Sequence, residues 1–401
     1  MIFLLTIEFI TLISLLLIFY AYFGYPLLLL FFIKNAFGNR PQAPDQKEQM
    51  PPVTVIIAAR NEEAVIAEKL DNTLALKYAG TDLKTLCSHG STLVQVIVAS
   101  DASDDETDRI VSAYADAGVT LSRSDHRGGK EEAQRLALSL ARGELVFFTD
   151  AKISLNAEAL REGVKHFVDP RVGAISSIDK VLDPADADAK GSGEGLYVRY
   201  EMWLRDLESQ FFSLVGLSGS AFMVRRALTE NLPTDIPSDF SLLLEAQRRG
   251  LIGRHAPGVI GSYRAVKSEE EEFSRKVRTV LRGITTLFLR KEVLNPARFG
   301  VFSWQMLSHK LARWLVPWCL VFSGLGLLVL SFKSAVYALM FLGYLSFFAL
   351  AFLGFRDVRL RSIAPIRVAL FFSIANLAIL MAWVRYFGGA RATVWDPSRK
   401  C

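Results

Sequence analysis

The chain has 401 residues, 51% hydrophobic and 22% charged, with a formal net charge of +5 and a mean hydropathy of +0.28. That is too apolar for an ordinary soluble protein, so membrane segments are expected. The basic excess flanks the apolar segments, where it suits anionic lipid, and nothing calls for nucleic acid. Cys87, Cys319 and Cys401 are too far apart for a metal or disulfide spacing, and the five histidines do not cluster.

Residues 2–33 carry a single charge, Glu8. Roughly 20 apolar residues cross a bilayer, so 1–35 reads as a transmembrane anchor. No basic stretch precedes it and no small-residue cleavage site follows promptly, which argues against a cleaved signal peptide. Lys34, Arg40 and Lys47 come next, placing the following segment in the cytoplasm. Residues 36–52 form a polar, proline-rich linker.

From 53 to 290 strands and helices alternate at a βαβ spacing, which predicts a parallel, Rossmann-like sheet. Val53 to Ala58 is the first strand, ending in Ala59-Arg60-Asn61-Glu62-Glu63, with a helix through about Leu74. Residues 77–92 read as a loop. Leu93 to Ala99 is the second strand, followed by Ser100-Asp101-Ala102-Ser103-Asp104-Asp105 and a helix to about Ala117. A short strand near Val119 leads to Arg127-Gly128-Gly129-Lys130, a plausible anion cradle before a helix N-terminus. Gly143 to Lys152 contains a continuous apolar strand, Leu145 to Phe148, that ends on Asp150. Ligands of such sheets bind past the carboxyl ends of the strands. Capping or turn formation alone would also explain Asp150, as it would Asp104 or Asp105. Neither a Gly-x-Gly-x-x-Gly after the first strand nor a P-loop is present, which removes the best sign of dinucleotide or ATP chemistry.

Val172 to Ile178 is a further strand, 183–195 a mobile loop, and Tyr197 to Phe212 an aromatic amphipathic helix. Gly216 to Phe222 is a small-residue turn with room for a bulky substrate. Asp239 opens a helix, where N-capping is the simplest alternative to a site role. Glu269 to Glu272 precede arginines spaced along one helix face, which suits diphosphate contact, though the acids fit a solvated first turn equally well. Residues 291–312 mix aromatic and basic residues, the pattern of an amphipathic helix at the membrane surface. Residues 313–390 hold about three transmembrane helices, and 391–401 is a basic tail.

Taken together, these motifs resemble the family 2 glycosyltransferase domain, known as the GT-A fold, from Val53 to about Arg282. With membrane helices at both ends, the chain is similar to the bacterial poly-N-acetylglucosamine, hyaluronan and cellulose synthases. The resemblance implies an α/β fold: a cytoplasmic GT-A domain with a mixed, mainly parallel sheet, plus transmembrane α-helices at both ends. It implies an inverting glycosyltransferase at the bacterial inner membrane. The enzyme would move a sugar from a UDP-sugar to a lipid-linked or growing glycan acceptor in cell-surface polysaccharide biosynthesis, with partner subunits of an export system.

Carried over by motif, Asn61 and Glu62 face the nucleotide and Asp101 holds its base or ribose. Lys130 and Arg278 lie near the diphosphate. Asp150 is the first acid of Asp-x-Asp, beside a Mg or Mn ion and the diphosphate. Ser218, Gly219 and Ser220 form the acceptor-side turn, and Asp239 is the general base. Three positions depart from the pattern. Lys152 replaces the second acid of Asp-x-Asp. Ser238 stands where an acid usually precedes the base. Arg275 and Thr279 replace the glutamine and tryptophan of Gln-x-x-Arg-Trp. The first departure bears on metal ligation, the third on processive synthesis. The alternative is a degenerate, non-catalytic membrane subunit that supports a partner synthase.

Overall fold

The computed structural model describes residues 2–36, 50–182, 193–264 and 269–391, without the side chains of 193–198. Most of the 36–52 linker, Arg40 and Lys47 included, lies outside the described residues. So do most of the 183–195 loop and all of the basic tail beyond Arg391.

Eight strands form the central sheet: β1 (Val53–Ala59), β2 (Val94–Ser100), β3 (Val119–Arg123), β4 (Leu145–Asp150), β5 (Ser154–Leu155), β6 (Val172–Leu182), β7 (Ala221–Arg225) and β8 (Ile252–Arg264). Their order is β3-β2-β1-β4-β7-β6-β8-β5. The block from β3 to β4 is parallel, β7 runs antiparallel to both its neighbours, and β6 pairs parallel with β8. The sheet is thus mixed and mainly parallel, as expected.

The longer helices are α1 (Ile2–Phe19), α2 (Tyr25–Ala36), α3 (Ile66–Leu74), α4 (Lys130–Leu140), α5 (Gly193–Phe211), α6 (Ser238–Arg248), α7 (Glu269–Leu289), α8 (Ala312–Leu330), α9 (Ala335–Arg356) and α10 (Ala364–Phe387). The apolar runs of β1, β2 and β4 bury both faces because helices cover both. Val55, Ile57, Val96, Val98 and Phe147 pack on Ile66, Leu70 and Leu74 of α3. Their alternating neighbours Ile56, Ile97, Val146 and Phe148 pack on Ala133 and Ala137 of α4, following the two-residue period of a strand.

The register decides where the acids go. Ala59 lies beside Ser100, and Ala58 beside Asp150, so Asp101 and Asp150 emerge at one edge. Antiparallel pairing of Thr149 with Ala221 brings Gly219-Ser220 alongside, and the Asp150 amide donates to the Ser220 carbonyl at 3.1 Å.

Among the described residues, four helical segments are long and apolar enough to cross a membrane: Ile2–Asn35, Val301–Leu330, Ala335–Arg356 and Ala364–Phe387. Helix α7 joins them to the sheet domain. Its Val277, Leu281, Ile284 and Leu287 are buried with Trp314, Ala378, Ala382 and Trp383. On the far side, the lone Glu8 of the first segment meets Lys333 and Tyr337.

Two segments differ from expectation. Residues 77–92 contain a small hairpin and a helix, Leu83–Ser88, whose Asp82 carboxylate caps the Thr85 amide at 2.8 Å. Leu83 and Cys87 are buried beneath it; six residues are too few to show a helical period. The stretch 291–312 is not one surface helix. It is a series of short turns running into Val301–Met306 and a π-helical turn, Leu307–Leu311. Its Val293, Phe302 and Met306 are buried against α7, so the apolar face that suggested lipid instead covers protein.

Candidate active site

A cleft of about 910 Å³ opens at the strand ends and runs down to the apolar helices. Glu62, Lys130, Asp150, Lys152, Ser218, Gly219, Ser220, Asp239 and Arg278 all line it. The sequence scattered these residues over more than two hundred positions, and the fold gathers them.

The first wall comes from β1, β2 and β4. The turns after β1 and β2 are locked together. Arg60 donates to the Asp101 and Ala102 carbonyls at 2.5 and 2.7 Å. The Asn61 side-chain carbonyl accepts from the Asp104 amide at 3.1 Å, and the Glu62 amide donates to Thr107 Oγ1 at 2.8 Å. Asn61 and Ala102 take φ of +53° and +50°. That conformation is tolerated by asparagine but costly for alanine, and such strain tends to cluster at ligand sites. Asp105 accepts from the Thr107 amide at 2.9 Å, so its part is to close the turn before helix Thr107–Ser112.

Asp101 is 1% exposed. Its Oδ1 accepts from the Gly128 and Gly129 amides at 2.8 and 2.9 Å. The two amides that the sequence offered as an anion cradle are therefore taken by this carboxylate, which needs donors once it leaves water. Gly129 holds φ +95° to present its amide, a conformation suited to glycine. Asp101 Oδ2 is buried with no hydrogen-bond partner among the described residues, so one acceptor remains for an incoming donor. Neither Asn61 nor Asp101 is among the residues that line the main cleft.

Lys130, the first residue of α4, places its ammonium 2.6 Å from Asp150 Oδ1 and 3.1 Å from the Gly219 carbonyl. Burial works against this charge, but Asp150, then Glu131 and Asp239, outweigh it and raise the lysine's pKa above its ordinary value. Lys152 points to Glu62, with Nζ 3.4 Å from Oε1, and is half exposed (52%). Beneath Asp150, the buried Lys69 donates to Thr149 Oγ1 at 3.0 Å and the Ile153 carbonyl at 2.7 Å. It staples the turn that carries Asp150 and Lys152.

A metal would find one carboxylate here. Lys130 already sits on Asp150 Oδ1, and among the described residues no three His, Cys, Asp or Glu gather as a metal group. This fits an ion that takes one carboxylate, with ligand oxygens and water supplying the rest.

The second wall comes from β6, β7 and the helices. Asp239 lies inside the first turn of α6, whose cap is Pro237, and its Oδ1 accepts from the Phe240 amide at 2.8 Å. No cation pairs with it among the described residues. A Cβ on Gly219 would stand 3.0 Å from Asp239 Oδ2, so only glycine lets the turn approach this closely. Ser218 Oγ donates to Asp179 at 2.7 Å, and Ser220 Oγ bonds the same carboxylate. Asp179, on β6, thus holds the turn's hydroxyls. No motif marked it in the sequence. Glu131 was also unmarked; it forms a buried pair at 2.6 Å with Arg282, one of the arginines expected to suit diphosphate contact, and the pair ties α4 to α7. Arg278 lies one turn before Arg282 on α7 and lines the cleft.

Residues 54–232 match the family described as glycosyl transferase family 2. Among curated proteins, a beta-monoglucosyldiacylglycerol synthase of Trichormus variabilis is 28% identical over 188 residues, covering 45% of this chain and 38% of that protein. A succinoglycan biosynthesis protein of Rhizobium meliloti is 26% identical over 147 residues, 37% of this chain and 38% of its own length. The chain thus matches well under half the length of these relatives. A solved mannosyltransferase from Pyrobaculum calidifontis, in complex with GDP-Man and Mn²⁺, aligns with a TM-score of 0.68 at 25% identity, over 94% of this chain and 99% of that one. The sheet order, the acids at its strand ends and these likenesses agree: residues 54–232 form a domain with a GT-A fold that matches glycosyl transferase family 2.

Proposed function

We propose that the chain is a membrane-bound, inverting glycosyltransferase that moves a sugar from a nucleoside-diphosphate sugar to a lipid-linked or growing glycan acceptor. The observation that carries this reading is the single cleft. It holds the Lys130–Asp150 pair and Asp239 at one end and continues between helices apolar enough for a bilayer at the other.

The roles follow from the chemistry. The unpartnered Asp101 Oδ2 accepts from the nucleobase or ribose. Lys130, with Arg278 across the cleft, meets the charge that grows on the diphosphate as the bond to the sugar breaks. Asp239 takes the proton of the acceptor hydroxyl as its oxygen attacks from the opposite face. One displacement of this kind inverts the anomeric centre. A bound Mg²⁺ or Mn²⁺ would be held by Asp150 and would add neutralising charge at the diphosphate. Lys152, turned to Glu62, leaves that side of Asp150 open. A UDP-sugar is the first expectation for the donor, and the GDP-Man of the Pyrobaculum structure makes GDP-sugars the second arm of any test. The wider assignment, to surface polysaccharide synthesis at a bacterial inner membrane with export partners, rests on the order of motifs. The cyanobacterial synthase name points to glycolipid as a second class of product.

The alternative, a non-catalytic subunit, draws on Lys152 occupying the second acid position. A screen of the purified chain against UDP- and GDP-sugars decides between them. Release of nucleoside diphosphate from one donor, reduced ~10²–10⁴-fold in Asp239→Asn, supports the enzyme. No turnover with any donor supports the subunit.

A further inference from the structure

The membrane end of the cleft contains charges that the transfer reaction does not use. Three acids stand in or behind its lining, and each already has a partner. Glu201 pairs with Arg313 and lies 3.3 Å from His309 Nε2. Glu208 meets His309 Nδ1 and the Tyr25 hydroxyl, both at 2.7 Å. Asp179 is occupied by Ser218 and Ser220. Arg313 is further held over the rings of Tyr22 and Tyr200, at 5.6 and 5.2 Å.

Two cations are left over. Lys310 and Arg205 both line the cleft, and among the described residues neither has a carboxylate within ion-pair distance. Arg205 makes one long contact, to Ser176 Oγ at 3.4 Å. The same Ser176 Oγ accepts from the Ser218 amide at 2.7 Å, and Lys310 Nζ lies beside Gly216, so both cations border the turn Gly216–Ser218. Two like charges lining one partly desolvated cleft repel, and an anion between them relieves both.

The position of the lysine is held from several sides. It belongs to the π-helical turn Leu307–Leu311, a distortion frequent at functional sites, and the clamp on its neighbour His309 fixes that turn. A Cβ on Gly216 would come 3.1 Å from Lys310 Nζ, so the glycine leaves the ammonium room. Nζ lies 5.7 Å from the ring centre of Phe240, the residue that follows Asp239. Beyond Lys310 the lining turns apolar, with Trp314 on α8 and Phe371, Ala378 and Ile379 on α10.

We propose that Lys310 and Arg205 form a phosphate subsite that holds the phosphate ester of a membrane-embedded acceptor, its tail along α8 and α10 and its head toward Asp239. This deepens the proposed transfer reaction and rests on it for the acceptor's role. A charge-assisted bond from a compact ammonium suits a phosphate oxygen, while a neutral head group would give neither cation an ion pair.

The test is binding, in the absence of donor, to the full chain in neutral phosphatidylcholine nanodiscs. The probes are geranylgeranyl phosphate, geranylgeraniol and inorganic phosphate. The expected result is an affinity for the phosphate ester about tenfold or more above that for the alcohol, and a weaker response to inorganic phosphate. Lys310→Met removes the preference and Lys310→Arg keeps it. Should Lys310→Met fail to fold, Arg205→Gln is expected to show the same loss. Parity of ester and alcohol in the wild type overturns the proposal, as does an undiminished preference in the variants. Inorganic phosphate binding as tightly as the ester overturns the amphiphile. Since no sugar nucleotide is present, these results stand apart from success or failure of the donor screen.

Discussion

The two walls of the cleft are built by different rules. On the wall assigned to the donor, acids sit at parallel strand ends and are held by groups close at hand. Asp101 takes two backbone amides, and Asp150 takes Lys130 from the next helix start. On the membrane-facing wall, several polar groups are held across long sequence distances: Tyr25 by Glu208, Glu201 by Arg313, Ser218 by Asp179. The first wall is preorganised by the sheet itself. The second exists only while α5, α6, α7 and the apolar helices stay packed. Changes on the first should therefore alter binding of the nucleotide locally, and changes on the second should act through acceptor chemistry or through the packing itself.

The largest expected effect bears on the first wall. EDTA is expected to abolish turnover, and added Mn²⁺ or Mg²⁺ to restore it, because the proposed site needs only Asp150, the diphosphate and water around the ion. Lys152→Asp should reach full activity at lower metal concentration. Full activity in EDTA that disappears in Lys152→Ala would instead make Lys152 the cation at the diphosphate.

Next comes the seam between the walls. Arg282 and Glu131 are 11% and 2% exposed, so removing one partner strands a buried charge, at a cost of about 3–5 kcal/mol. Arg282→Met should lower the unfolding midpoint clearly, and adding Glu131→Leu should recover most of the loss. If the single and double variants melt alike, the pair does not join the walls.

The smallest effect is a pH slope. Burial draws the Lys69 pKa down to about 7, with Asp150 opposing; the ordinary value is ~10.4. Between those limits the unfolded chain binds more protons than the folded one, so this group makes stability rise as pH increases through the window. Below the folded value both states are charged, and the cost of burying the ammonium is present in full. Unfolding midpoints taken from pH 6 to pH 9 should show the slope in the wild type and lose it in Lys69→Met. An unchanged slope in the variant assigns it to other groups.

How much could be read from the sequence follows the same division. Apolar runs ending on an acid or asparagine identified β1, β2 and β4 and placed Asp101 and Asp150 correctly at one edge. Motif order singled out Asp239 and the Ser218–Ser220 turn, and the fold places them in one cleft. The strands β7 and β8 were not expected. Ile252–Arg264 contains Pro257 and three glycines and is paired through register shifts, which erases the alternation a strand would show. Asp179 was invisible because its meaning lies in two serines about forty residues away. Lys310 was seen, but as one of the surface basics of 291–312, since a buried face against α7 and a face against lipid give the same pattern. The sequence also offered Gly128-Gly129 as a cradle for an outside anion, whereas the fold gives their amides to Asp101.

Side-by-side calorimetry of UDP and GDP binding to the wild type, Asp101→Ala and Asp239→Asn tests the division of labour most directly. The account predicts that Asp101→Ala loses affinity for the preferred nucleotide while Asp239→Asn binds it as the wild type does. Equal nucleotide affinity in the two variants would contradict the account.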